Sequence, residues 1–139
     1  MKNIVYLIGI LFSTLTLSAQ NGKKSIATPS IASGDHLFIS GQIALDPITS
    51  HLVNDSFEAE VRQMMSNLKN ELDKHHLTYD DLVSATIYLT DINQFEQFNT
   101  LYLSYFKDKT PTRTCIAVVA LPLKATVEIT YPPEQVHVS

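Results

Sequence analysis

Apolar positions along this chain repeat first with the period of a strand and then with that of a helix, and the two alternate up to the last strands. His36 to Ile43 alternates around Leu37 and Ile39. With the weaker run from Ile26 to Ala32 and the turn Ser33-Gly34-Asp35, it predicts a hairpin whose first strand, containing Pro29, suits a sheet edge. Phe57, Val61, Met64, Met65, Leu68 and Leu72 follow at steps of three and four, the stripe of an amphipathic helix. Asp55, with Glu58 three residues on, reads as its capping box, and His75-His76 suit the partial negative charge at its far end. Leu82 to Leu89 returns to period 2, with Val83, Ala85, Ile87 and Leu89 on one face and Ser84, Thr86 and Tyr88 on the other. Asp91 with Gln94 opens a second helix, and Phe95, Phe98, Leu101, Tyr102, Tyr105 and Phe106 give it an aromatic face wide enough for two neighbours.

The last stretch carries a charge out of place. Thr112 to Ala120 and Ala125 to Tyr131 read as strands, and the break Leu121-Pro122-Leu123-Lys124 predicts that they pair as an antiparallel hairpin. Period 2 puts Arg113, Cys115 and Ala117 on one face, while Glu128 and Thr130 alternate with Val127, Ile129 and Tyr131. A guanidinium near the start of an apolar strand is costly without an anion. Two readings follow: a structural ion pair between Arg113 and Glu128, or a site where both groups meet a ligand. The order β-β-α-β-α-β-β predicts one α+β domain with two helices side by side on one sheet face. Arg113, Cys115, Ala117 and Val119 are expected on the other, partly apolar face, which a cyclic assembly would bury.

Composition narrows the class. With 45% hydrophobic and 17% charged residues in 139, the chain can bury one real core. Residues 1–19 read as a secretory signal: Met1-Lys2-Asn3 is positive, Ile4 to Leu17 is apolar, and Ser18-Ala19-Gln20 offers a cleavage point after Ala19. That apolar run, interrupted by Ser13, Thr14 and Thr16, falls short of the ~20 residues needed to span a bilayer. The expected product is a domain of residues 20–139 in the periplasm or outside the cell, with no membrane contact after cleavage. Loss of the leader deepens the net charge from −4 to −5, which disfavours nucleic acid. The single cysteine, Cys115, cannot form an internal disulfide and reads as a buried small hydrophobe or a reactive thiol. His51 has no partner at metal-ligand spacing and reads as an exposed bystander. Gly41, inside a strand, marks a bulge or a close approach to the backbone. Asn99, inside a helix, reads from propensity as solvent-facing.

The run Pro111-Thr112-Arg113-Thr114-Cys115-Ile116, followed by Leu121-Pro122 and Val127-Glu128-Ile129, closely resembles the C-terminal signature of the Rid family, the YjgF-type reactive intermediate deaminases. Phe38-Ile39-Ser40-Gly41-Gln42-Ile43, Asp46-Pro47, Asp91 to Phe95 and Phe98-Asn99 extend the resemblance over about Gly34 to Tyr131. The resemblance implies a chorismate-mutase-like α+β fold and a homotrimer with sites between subunits. It also implies cofactor-free hydrolysis of 2-imino and 2-enamino acids to 2-keto acids and ammonia. Arg113 matches the clamp for the substrate carboxylate, which a planar guanidinium can hold with two hydrogen bonds. Glu128 matches the water-activating carboxylate. Ser40, Gly41, Asn99 and Cys115 match positions that line the site, Cys115 through its backbone. The same clefts in a non-catalytic trimer would bind a small carboxylate or a protein partner, and ribonuclease activity, described for some relatives, is a third reading. Two departures stand out. Thr114 replaces the smaller residue usual after the arginine, and no tyrosine lies between Tyr6 and Tyr79. Family deaminases pack such a tyrosine on the substrate, whereas this chain reads Ser25-Ile26-Ala27-Thr28-Pro29 there.

Overall fold

Every predicted element is present in the computed structural model, which describes residues 27–131. The expected leader, Ser25-Ile26 and the closing Pro132-Pro133 lie outside the described residues. The chain runs β1 (Ser30–Ser33), β2 (His36–Gln42), α1 (Phe57–Asp73), β3 (Ser84–Leu89), α2 (Phe95–Leu103), β4 (Thr112–Ala117) and β5 (Val127–Tyr131). Gly34, with φ +58, makes the β1–β2 turn that a side chain would strain. The cap of α1 falls one residue later than expected, because the Ser56 side chain, not that of Asp55, accepts from the Ala59 amide. Lys74 holds the C-cap, the His75 ring lies 3.3 Å from Ser30 Oγ, and His76 turns to φ 58.

Strand pairing departs from expectation. The sheet order is β1-β2-β5-β3-β4, so β4 and β5 do not form a hairpin. β4 lies parallel to β3 at the edge, the geometry that a strand–helix–strand crossover through α2 imposes. β5 inserts between β2 and β3, antiparallel to both. The segment from Val118 to Thr126 is long enough to step over the end of β3, tied there by Val118 N–H to Leu89 O and Thr90 N–H to Thr126 O. Its 3₁₀ turn, Pro122–Lys124, places Leu123 and Lys124 at φ 54 and 64, where a side chain is disfavoured.

One face of this sheet is covered by both helices. Leu37 and Ile39 of β2, Ala85, Ile87 and Leu89 of β3, and Val127, Ile129 and Tyr131 of β5 are buried against Val61, Met64, Met65, Leu68 and Leu72 of α1 and Phe98 and Tyr102 of α2. Each large aliphatic side chain so buried is worth about 1.5–3 kcal/mol before entropy is set against it. Val83 stays outside this set, 45% exposed just before β3 begins. Glu60 sits within the core layer, 2% exposed, and accepts from Thr126 N–H at 2.6 Å and Thr126 Oγ1–H at 2.5 Å. It ties α1 to the residue that precedes β5.

Pairing also decides which residues share a face. Arg113 stands opposite Ala85 and Cys115 opposite Ile87, so both point to the helix side, contrary to the expectation that they look out of the uncovered face. The uncovered face carries Phe38, Tyr88, Thr86, Ile116, Glu128 and Thr130, with Phe38 and Ile116 41% and 42% exposed.

Candidate active site

Arg113 lies half-buried on the edge strand, under α2. Its guanidinium carbon is 5.5 Å from the ring centres of Phe95 and Tyr102 and 6.0 Å from that of Phe98. The aromatic face of α2 thus serves two neighbours, the core and this cation. Ring quadrupoles hold the guanidinium by about 0.5–2 kcal/mol each, yet they satisfy none of its N–H donors. The ion pairs among the described residues are Arg62–Glu58, Lys69–Asp73 and Lys74–Glu71, so Arg113 meets no carboxylate among them. It opens on a cleft of about 470 Å³ between α2 and the start of β4, with Glu96, Asn99, Thr100 and Leu103 on the helix side. Asn99 Oδ1 is buried without a donor, so Asn99 is a cleft residue and not the solvent-facing one that propensity predicts. Cys115 follows Arg113 on the same face and touches the core; burial pushes its thiol up, outweighing the opposite pull of Arg113. The protonated form is therefore favoured, and the small-hydrophobe reading fits.

Glu128 lies on the other face of the sheet, opposite Tyr88. Burial pushes its carboxyl above the usual carboxylate range, and no hydrogen bond or ion pair reaches it among the described residues. The structural ion pair with Arg113 is absent, because β3 separates the two strands and the side chains leave the sheet in opposite directions. Gly41 lies against Glu128: a Cβ there would stand 2.1 Å from Glu128 Oε1. The β2–β5 register runs from Ile39↔Tyr131 to Gln42↔Ile129, one extra residue on β2, so Gly41 marks both a bulge and a close approach. Ser40, in the same bulge, donates from Oγ to Thr28 O and from N to Pro29 O. Ser40 and Gly41 also border a hollow of about 550 Å³ against the C-terminal half of α1. The segment expected to lack an aromatic wall therefore runs beside Ser40, and its described residues are Ala27, Thr28 and Pro29.

The six expected site residues thus form two groups in one subunit. Arg113, Asn99 and Cys115 gather on the helix side of the edge strand, and Glu128, Gly41 and Ser40 gather at the bulge of β2. The sequence reading missed Glu96, which a one-turn offset from Asn99 places in the same cleft, and Glu60. Glu60 falls three residues after Phe57 and four before Met64, on the buried stripe, and that spacing was the available signal.

A small α+β domain with a five-stranded sheet, two helices on one face and, on the edge strand, an arginine with no ion pair among the described residues defines a class. The family described as Endoribonuclease L-PSP matches residues 26–132, and the chain belongs to this Rid/YjgF family. A RutC family protein of Sulfurisphaera tokodaii is 38% identical over 96 residues, 69% of this chain and 77% of that protein. The crystal structure of a Rid family protein of unknown function, YyfA from Yersinia pestis, superposes with a TM-score of 0.74 at 36% identity, covering 77% of this chain and 86% of that one. A putative endoribonuclease from Thermotoga maritima superposes with a TM-score of 0.74 at 30% identity, covering 83% and 87%.

Proposed function

We propose that the protein is a homotrimeric hydrolase that converts 2-imino and 2-enamino acids to 2-keto acids and ammonia, in clefts where Arg113 of one subunit faces Glu128 of the next. The observation that carries this reading is the separation of the two charges onto opposite faces of one sheet, each without an ion-pair partner among the described residues. A half-buried guanidinium and a half-buried carboxylate are each costly alone, and a head-to-tail ring that closes brings each against the other's face. The partly apolar open face, with Phe38, Tyr88 and Ile116, supplies area for such a ring.

The chemistry then divides between neighbours. Arg113 holds the substrate carboxylate and fixes C2, the imino carbon bonded to it. The Glu128 carboxylate of the next subunit takes a proton from water as the oxygen adds to C2, giving a carbinolamine. The acid so formed returns that proton to nitrogen; the carboxylate then takes the hydroxyl proton and delivers it to nitrogen as the carbonyl forms, the C–N bond breaks and ammonia leaves with the keto acid. An enamine first accepts a proton at C3. A carboxyl raised by burial is a stronger base than an exposed one, which suits a group that takes a proton from water and then gives it up.

A second reading, a non-catalytic trimer that binds small carboxylates or a protein partner, draws on the segment Ala27-Thr28-Pro29, which brings no aromatic side chain. Release of ammonia and keto acid from imines generated by an amino-acid oxidase separates the two: release above the uncatalysed rate supports the hydrolase, and none rejects it. We further propose export to the periplasm or beyond, directed by residues 1–19; an N-terminus at Gln20 in the mature protein is the expected result, and retained Met1 is the contrary one.

A further inference from the structure

Arg113 and Glu96 line the same cleft and do not form an ion pair with one another. Glu96 stands in the first turn of α2, and Asn99, with its buried Oδ1 lacking a donor, stands one turn further on. Among the described residues, one wall of the cleft thus presents a cation without an anion, and the other presents a carboxylate without a cation and an acceptor without a donor. At about 470 Å³ the cleft falls within the range of small-molecule pockets and has room beyond a three-carbon acid. Because C2 is bonded to the carboxylate held at Arg113, only the rest of the substrate side chain can extend along the cleft.

We infer that Glu96 selects substrates by the charge of that side chain, favouring 2-imino acids with a cationic or donor-bearing side chain over those with a second carboxylate. This rests on the reading of Arg113 as the carboxylate clamp. A carboxylate in the first turn also steadies the helix through its dipole, but that role would not rank ligands. Glu96 is exposed, so its effect is screened and modest: about two- to fivefold for attraction of a cationic tail, a similar factor for repulsion of an anionic one, and less at high salt.

Three unreactive probes of equal length test it by calorimetry on the full-length protein: 5-aminopentanoate, pentanoate and glutarate. The expected order of affinity is 5-aminopentanoate, then pentanoate, then glutarate. In Glu96→Gln the ratio between the first and the last falls to within about twofold. Equal binding of the three to the wild type, or a ratio that survives Glu96→Gln, overturns the inference while leaving the clamp intact, provided that Arg113→Lys weakens all three. If Arg113→Lys leaves pentanoate binding unchanged, the clamp reading falls and this inference falls with it. Thermal melting of Glu96→Gln checks the helix independently, and a lost ratio without a lost fold supports selection.

Discussion

Replacing Gly41 by alanine moves one carboxylate and little else. The added Cβ would stand 2.1 Å from Glu128 Oε1, 3.2 Å from Glu128 Cδ and 3.3 Å from Thr130 Cγ2. Ordinary contact begins at 3.4 Å, so the oxygen must retreat by more than 1 Å, whereas Cδ and Cγ2 need give only one or two tenths. The atom in the way ends a flexible side chain, so a rotamer change resolves the clash at about 0.5–1.5 kcal/mol. Alanine in place of glycine returns a comparable amount, about 0.4–1 kcal/mol, by restricting the unfolded chain. Stability should therefore change by less than about 1 kcal/mol, a shift of at most a few degrees in Tm. Catalysis should not escape so lightly, because a base displaced by about 1 Å can lose 10²-fold in rate. The expected Gly41→Ala protein melts near the wild type, binds 2-oxobutanoate through Arg113 and releases ammonia from imines about a hundredfold more slowly. Turnover at the wild-type rate would refute the placement of Glu128 as the base, and a collapse in Tm would show that the backbone, not the carboxylate, absorbs the methyl group.

Other outcomes follow from the same geometry. Arg113→Lys should weaken binding of 2-oxobutanoate by about ten- to a hundredfold in calorimetry, since an ammonium cannot make the two-pronged contact; unchanged affinity would reject the clamp. Glu128→Gln should retain that binding and lose hydrolysis, and residual turnover would place the base elsewhere. In the wild type kcat should fall as pH drops through the Glu128 pKa, and the midpoint should lie above the ordinary carboxylate value of about 4.3 because burial disfavours the charged form; a midpoint below it contradicts this. The sign for stability is the reverse, since a carboxyl raised in the folded state favours folding less once pH passes that pKa. Glu60→Ala orphans Thr126 N–H and Oγ1–H and should cost about 3 kcal/mol in urea unfolding, whereas a loss under about 0.5 kcal/mol would show that water replaces the carboxylate freely.

Periodicity carried the elements but not their neighbours. The helix stripe from Phe57 to Leu72 and the alternation of Ala85, Ile87 and Leu89 were legible because burial on one face leaves a repeat in the sequence. Which strand pairs with which leaves no such repeat. Leu121-Pro122-Leu123-Lys124 looks like a hairpin turn, and only the pairing of β3 with both β4 and β5 shows that it carries the chain across. That error propagated, because the phase of Arg113 and Cys115 along β4 was right while the side they face was not. The family signature named the expected site residues, but not their division between two faces, since a signature fixes identities and leaves geometry to the fold. Glu60 was lost for the opposite reason: its spacing announced burial, but an acid on an apolar stripe is easily read as an exception.

Mixing two impaired proteins, at substrate too dilute for the weakened clamp to bind, tests whether each site draws Arg113 from one subunit and Glu128 from the next. Arg113→Lys and Glu128→Gln chains, unfolded together and refolded at equal concentration, assemble at random into rings. If the site spans two subunits, an interface is intact wherever a Glu128→Gln chain contributes its arginine to a neighbour that carries Arg113→Lys and contributes its glutamate. Random assembly makes about one interface in four of this kind, so the mixture should recover about a quarter of wild-type ammonia release. Light scattering should give it the mass of three chains. A mixture that assembles and releases ammonia no faster than its components would contradict a site shared between subunits.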